Sequence, residues 1–219
     1  MLTLRVGTRP SPLAIRQVEE IKSLLPDINF KTITISTKGD QDKRTPLSET
    51  EGTDFFTGEI EDALLKGEID LAVHSAKDLE DKPPEDLTIA ATTASASPYD
   101  CLVSKNGLSL RTLPKGAIVG TSSIKRKEAV LRFRADITAK DLRGDIDERL
   151  RQLDRGDFDA IIVAHAALIR LGYYFRITEI ISKDIIEPHP LQGRLSIQVL
   201  KKREDLIKIF EKIDEKYKR

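Results

Sequence analysis

Short apolar runs alternate along the chain with longer stretches whose apolar residues recur at helical spacing. This alternation predicts strands joined by crossover helices, an α/β fold. Strands are predicted over 2–6, 31–36, 71–73, 87–93, 102–104, 118–120, 137–141, 160–164 and 195–199. Between the first two, SPLAIRQVEEIKSLL reads as a helix. Ser11 can cap it, Pro12 suits its first turn, and Ala14, Val18, Ile21 and Leu25 fall on one face. After the last strand, Leu206, Ile209, Phe210 and Ile213 form an apolar stripe, which predicts a closing helix.

The pattern repeats. KGEIDLAVH at 66–74 is echoed by RGDFDAIIVAH at 155–165, and VGTRPS at 6–11 by VGTSS at 119–123, in the same order. Gly-Asp-x-Asp before a strand is also ordinary turn chemistry. The shared order nevertheless predicts two similarly built lobes, the first from 1–94 with 193–219 and the second from 100–187. Segments 95–99 and 188–192 are then the hinge crossings, and two crossings imply a central cleft and hinge motion.

Composition removes several classes of function. The 219 residues carry 36 basic and 36 acidic side chains, so no net field favours nucleic acid or an anionic membrane. The aromatic residues show no stacking pattern and there is no tryptophan, which again speaks against nucleic acid. The single cysteine, Cys101, allows no internal disulfide and fits a reducing cytosol. No apolar run reaches the length of a signal peptide or a membrane span, so a cytoplasmic protein is expected. Three histidines and one cysteine, scattered, make no zinc site, and neither a Walker loop nor GxGxxG is present. No metal is expected.

The candidate chemistry lies just past the strands. AVHSAKDL leaves an apolar run and presents His74, Ser75, Lys77 and Asp78 within five residues, where α/β proteins place ligands. VGTRPS and VGTSSIKRK each join a strand to a helix start through glycine and hydroxyl residues, a setting suited to carboxylates or phosphates. Arg9, Lys125 and Arg126 add charge there, Arg143 and Arg149 flank the turn in DLRGDIDER, and Arg170 follows the strand at 160–164. Each arginine alone could be a surface residue in an ion pair, since Asp145, Asp147 and Glu148 stand beside Arg143 and Arg149. Together they suit a ligand with several carboxylates, because guanidinium forks match carboxylate geometry. In such surroundings Asp78 is the exception, able to stabilise a developing cation or shuttle a proton.

The segments RVGTRPSPLAIRQVE, TKGDQDKRTPL, GEIEDALLKGEIDLAVHSAKDL, IVGTSSIKRKEAVL, LRGDIDERLRQLDRGDFDAIIVAHAALIRLG and HPLQGRLSIQ occur in the order found in porphobilinogen deaminases, also called hydroxymethylbilane synthases. The resemblance covers nearly the whole chain. It implies two lobes similar to type II periplasmic binding proteins. It also implies a transferase of tetrapyrrole (haem, porphyrin) biosynthesis that condenses four porphobilinogen molecules, with loss of ammonia, into hydroxymethylbilane. It makes Asp78 the catalytic carboxylate, stabilising the azafulvene cation and handling pyrrole N–H protons. Arg9, Arg126, Arg143, Arg149 and Arg170 match arginines that hold substrate and chain carboxylates, with Ser11, Lys77, Ser123 and Lys125 contributing. The implied cofactor is dipyrromethane.

The chain departs from the family in four places. Most members continue into a third domain whose cysteine anchors the dipyrromethane, so a short form without that anchor is expected. Cys101 aligns with a different segment and is only a weak candidate for attachment; a small buried hydrophobe is the plainer reading. The family's GGKGLF lid reads EGTDFF at 51–56, with Asp54 where a base is usual. Lys125 replaces an arginine and loses the bidentate fork, and LQGR at 191–194 stands for GQGA. The anchor's loss leaves an alternative open: a non-catalytic binder of pyrroles or other polycarboxylates on the same fold. A monomer is expected, with no nucleic-acid or membrane partner, and whether a separate protein supplies the third domain is open.

Overall fold

Two five-stranded sheets organise the chain, each carrying one of the repeated sequence patterns. The computed structural model describes residues 2–42, 45, 53–80 and 83–215, which fall into two compact units. The first unit holds β1 (Thr3–Thr8), α1 (Pro12–Leu24), β2 (Asn29–Thr34), α2 (Lys38–Gln41), α3 (Gly58–Leu65), β3 (Leu71–Ser75) and β4 (Leu87–Thr92). The second holds β5 (Asp100–Ser104), β6 (Ile118–Thr121), α4 (Ile124–Phe133), β7 (Thr138–Asp141), α5 (Ile146–Arg155), β8 (Ala160–Ala164), α6 (His165–Arg170) and β9 (Glu179–Ile180). The chain then returns to the first unit as β10 (Leu195–Leu200) and α7 (Glu204–Phe210).

The strand orders are β2-β1-β3-β10-β4 and β7-β6-β8-β5-β9. β1 runs parallel to β2 and β3, as β6 does to β7 and β8, and the strand beyond is antiparallel in each: β10 beside β3, β5 beside β8. The crossover helices cover apolar faces. α1 buries Ala14, Val18 and Ile21, with its start set by Ser11, whose Oγ accepts from the Ala14 amide at 3.2 Å. α7 buries Leu206 and Phe210 on the same core as β1, β3 and β10, and Ile209 packs partly buried beside them. Each such side chain contributes about 1.5–3 kcal/mol through burial.

The echo between the two segments has a physical basis in register. Val6 and Gly7 pair with Leu71 and Ala72, and Val119 and Gly120 pair with Ala160 and Ile161. In each unit the strand glycine lies under a large apolar side chain. A Cβ on Gly7 would meet Ile69 Cδ1 at 2.2 Å, and one on Gly120 would meet Phe158 Cδ1 at 2.8 Å. In each, an aspartate next to that side chain clamps the central strand. Asp70 accepts from the Arg5 amide at 2.8 Å, and Asp159 from the Ile118 amide at 2.7 Å. The turn before it needs positive φ, at Gly67 (69°) and Gly156 (90°). The aspartates of the repeated motif therefore close a strand edge rather than decorate a turn.

Two local readings differ from the structure. The repeated segments both end in histidine, yet strand register matches His74 with Val163; His165 already belongs to α6. β9 has no counterpart among the predicted strands, because two residues, one of them exposed, leave no apolar run to detect.

Candidate active site

Because β1 and β3 are adjacent and parallel, their carboxyl ends emerge side by side, and the first unit's candidate residues gather there. β3 ends at Ser75 and passes into a single 3₁₀ turn, Ala76–Asp78. The turn is held from both sides: the Ala76 amide donates to the Arg194 carbonyl at 3.0 Å, and Gln17 of α1 donates to Ser75 Oγ at 2.9 Å. Ala76 is buried, Lys77 is half-buried, and Asp78 is exposed. Among the described residues no hydrogen bond or ion pair occupies the Asp78 carboxylate. A fixed backbone thus presents an accessible acid with a lysine beside it.

Arg9 follows β1 at the same edge, but not as a bare cation. Its Nε donates to Asp40 Oδ1 at 3.0 Å, its Nη2 makes a second, shorter bond to the same oxygen, and the guanidinium lies 4.3 Å from the centre of the Phe56 ring. Burial raises the Asp40 carboxyl, but Arg9 and the Thr37 amide and hydroxyl outweigh it and hold it below the usual carboxylate range. Ser11 is committed to capping α1. Asp54, the acid in the departing lid segment, pairs with Lys38 at 3.9 Å; Glu51 and Gly52 lie outside the described residues.

The second unit repeats the arrangement with more cations. Ser123 stands at the amino end of α4 without accepting a capping bond, and Lys125 beside it is exposed. Arg143 follows β7. Arg149 sits in the first turns of α5, where its Nε donates to the Gly144 carbonyl at 2.7 Å. Arg170 ends α6 and donates to the Gly193 carbonyl at 2.9 Å. β7, β6 and β8 are neighbours, and Ser123, Lys125 and Arg143 follow the carboxyl ends of β6 and β7, whereas Arg149 lies within α5 and Arg170 at the end of α6.

Arg126 has a task the sequence did not assign. Its Nε and Nη2 bind the two Asp100 oxygens at 2.8 and 2.6 Å, and Nη2 also reaches Gln192 Oε1 at 3.3 Å. Gln192 in turn donates to Asp100 Oδ1 at 2.7 Å and to the Pro98 carbonyl at 3.1 Å. The pair is nearly dry, with side chains 11% and 4% exposed. The Arg126 fork is therefore filled by protein carboxylate. Cys101 is wholly buried in β5, its thiol directed at the Val163 carbonyl at 3.6 Å, and burial with the Asp100 charge pushes it up to about 12. Cys101 is thus buried as a packing residue, the plainer of the two readings its sequence allowed, and presents no accessible thiol.

Asp40, Phe56, Asp100 and Gln192 are the partners that sequence reasoning missed. Gly39 carried a signal: a Cβ there would fall 2.2 Å from the Phe56 ring. Among the described residues no cluster of His, Cys, Asp and Glu could hold a metal ion, and no helix is long and apolar enough to cross a membrane.

Comparison with known proteins places this geometry. Solved structures share the fold at low identity. The periplasmic substrate-binding protein of an ABC transporter from Coxiella burnetii superposes with a TM-score of 0.55 at 17% identity, covering 96% of this chain and 91% of its own. The BvgS VFT2 domain of Bordetella pertussis gives 0.52 at 13%, covering 97% and 85%. Among curated proteins, the porphobilinogen deaminase of Deinococcus radiodurans is 43% identical over 90% of this chain and 66% of its own length. That of Natranaerobius thermophilus is 41% identical over 94% and 68%, and that of Bacillus subtilis 40% over 99% and 71%. The chain thus spans about two thirds of the length of these relatives. Residues 4–208 match the family model described as porphobilinogen deaminase, dipyromethane cofactor binding domain, and the chain belongs to the porphobilinogen deaminase family.

Proposed function

We propose that the chain is a hydroxymethylbilane synthase of porphyrin biosynthesis, a transferase that condenses four porphobilinogen molecules head to tail with loss of ammonia. The observation that carries this reading is Asp78: an exposed carboxylate on a fixed turn at the end of β3, in a family whose members act as porphobilinogen deaminases. Departure of ammonia from the substrate's aminomethyl group leaves a cation delocalised into the pyrrole. An anionic oxygen beside it lowers the barrier, and the same oxygen can take the pyrrole proton when the new bond forms.

The donor set suits a dipyrromethane. That group carries several carboxylates, and the chain supplies Arg9 and Lys77 in the first unit and Lys125, Arg143, Arg149 and Arg170 in the second. Ser123, with no capping bond to make, adds a hydroxyl near the α4 amides. When bound, dipyrromethane supplies the pyrrole end from which the chain grows. The cations of each unit would hold its carboxylates. Arg126 contributes indirectly, by fixing Asp100 and Gln192, and engages a ligand only by exchanging Asp100 for it. Ser11 acts through the start of α1. We place the enzyme in the cytoplasm, as a monomer.

Purified wild-type protein and Asp78→Asn, each given porphobilinogen, test the reading. Wild type consumes the substrate, and the variant, which keeps the shape but loses the charge, turns over at least about 100-fold more slowly. Equal rates remove Asp78 from the chemistry. A wild type that binds porphobilinogen and returns it unchanged is a binding protein instead.

A further inference from the structure

Three polar side chains are buried together in the first unit, beneath the strand end that carries Asp78. Glu61 on α3, His74 on β3 and Gln198 on β10 are 8%, 5% and 0% exposed. Gln198 Nε2 donates to Glu61 Oε1 at 2.7 Å. His74 is the diagonal cross-strand neighbour of Gln198, since Ser196 pairs with His74 and Gln198 with Ala72. His74 Nε2 and Gln198 Oε1 are both buried and make no hydrogen bond among the described residues. Burial pulls the imidazole down to about 4, with Gln198 opposing and the Arg9 charge adding to the fall, so His74 is neutral. Burial, with Glu80, Asp54 and Asp62 nearby, outweighs the Gln198 hydrogen bond and raises the Glu61 carboxyl. Such a cluster costs free energy that an apolar trio would not.

The second unit shows that the fold has no need of it. Gly67 and Gly156 end equivalent turns, so Glu61 in α3 corresponds to Leu150 in α5. The strand register equates His74 with Val163. It equates Gln198, paired with Ala72, with Val103, paired with Ile161. Leu150, Val163 and Val103 are all buried. One architecture fills the same three places with hydrocarbon in one unit and with Glu, His and Gln in the other. The polar set lies in the unit that presents Asp78, four residues beyond His74.

We propose that Glu61, Gln198 and His74 are positioning residues, a buried polar cluster shared by α3, β10 and β3 that fixes the turn carrying Lys77 and Asp78 for turnover. The inference rests on the proposed synthase activity. The cluster touches no substrate: it acts through β3, whose end is also held by Gln17 on Ser75 and by Arg194 on Ala76. A misplaced carboxylate loses rate more than binding.

The test copies the second unit into the first: Glu61→Leu, His74→Val and Gln198→Val together, assayed for porphobilinogen turnover beside wild type. The expected result is a melting temperature no lower than wild type, a kcat about 10- to 100-fold lower and a KM within about twofold. Should the triple variant fail to fold, two single variants decide. His74→Gln, whose amide can reach the place of Nε2, keeps most of the rate, whereas His74→Val does not. An active wild type matched by a folded triple variant, or His74→Gln and His74→Val with equal rates, overturns the inference alone. An inactive wild type overturns it together with the activity on which it rests.

Discussion

Replacing Gly7 by alanine puts a methyl group where Ile69 already stands. A Cβ on Gly7 would lie 2.2 Å from Ile69 Cδ1, while its next neighbours, Ile60 Cγ2 and Ile69 Cγ1, stand at an ordinary 3.5 Å. The conflict is with one methyl. Ile69 is 1% exposed and packs with Ile60, Leu64 and Ala72, so Cδ1 cannot swing into solvent. The backbone of Gly7 does not have positive φ, so alanine brings no torsional strain and the cost is overpacking, about 1–3 kcal/mol. Ile69→Val deletes Cδ1 and alone costs about 0.5–1.5 kcal/mol. In the double variant the new methyl occupies the vacated space, so the combined loss falls short of the sum by about 1–2 kcal/mol. Urea unfolding followed by circular dichroism, compared at constant m-value, measures all three proteins. Losses that add to within about 0.5 kcal/mol would refute the reasoning, because the cost would then arise somewhere other than this contact.

Breaking the dry Arg126–Asp100 pair by Arg126→Met leaves Asp100 with Gln192 as its remaining side-chain partner and lowers stability by about 3–5 kcal/mol in the same assay. A loss below about 1 kcal/mol would mean the fork is free for ligand. Cys101, buried with its thiol pushed up to about 12, resists a disulfide reagent at pH 8 in the native protein and reacts on unfolding; reaction at the rate of a free thiol would contradict its placement. His74 stays neutral in the fold down to about 4, whereas in the unfolded chain it takes a proton below about 6.5. The unfolded state then binds more protons, so stability falls as pH drops from about 6.5 to 4, by up to about 3 kcal/mol. His74→Gln flattens that part of the pH-stability curve, and an unchanged slope would assign it to other groups.

The fold class was legible because strand and helix periods differ and the chain keeps to them: VGTRPS and VGTSS both mark a strand running into a helix start, and both sit there. The strand-end positions of Asp78 and Arg143 could be read from the same local signals. What those side chains do could not, because their partners come from far along the chain. Arg9 meets Asp40 and Phe56, and Arg126 meets Asp100 and Gln192, through tertiary folding that no local spacing encodes. The two histidines mislead for a related reason. AVH and VAH look alike as text, but strand pairing sets His74 against the position of Val163. His165 stands two residues past the position that matches His74, so a shared motif becomes a buried side chain in one unit and a helix start in the other.

The measurement that bears most directly on the central claim is the stoichiometry of the reaction: porphobilinogen consumed, ammonia released and linear product formed by the purified protein, with the product identified by mass. Condensation predicts one ammonia for each porphobilinogen consumed and a product of four pyrroles, with both signals lost in Asp78→Asn. Porphobilinogen bound by the protein and recovered intact, with no ammonia, would contradict it.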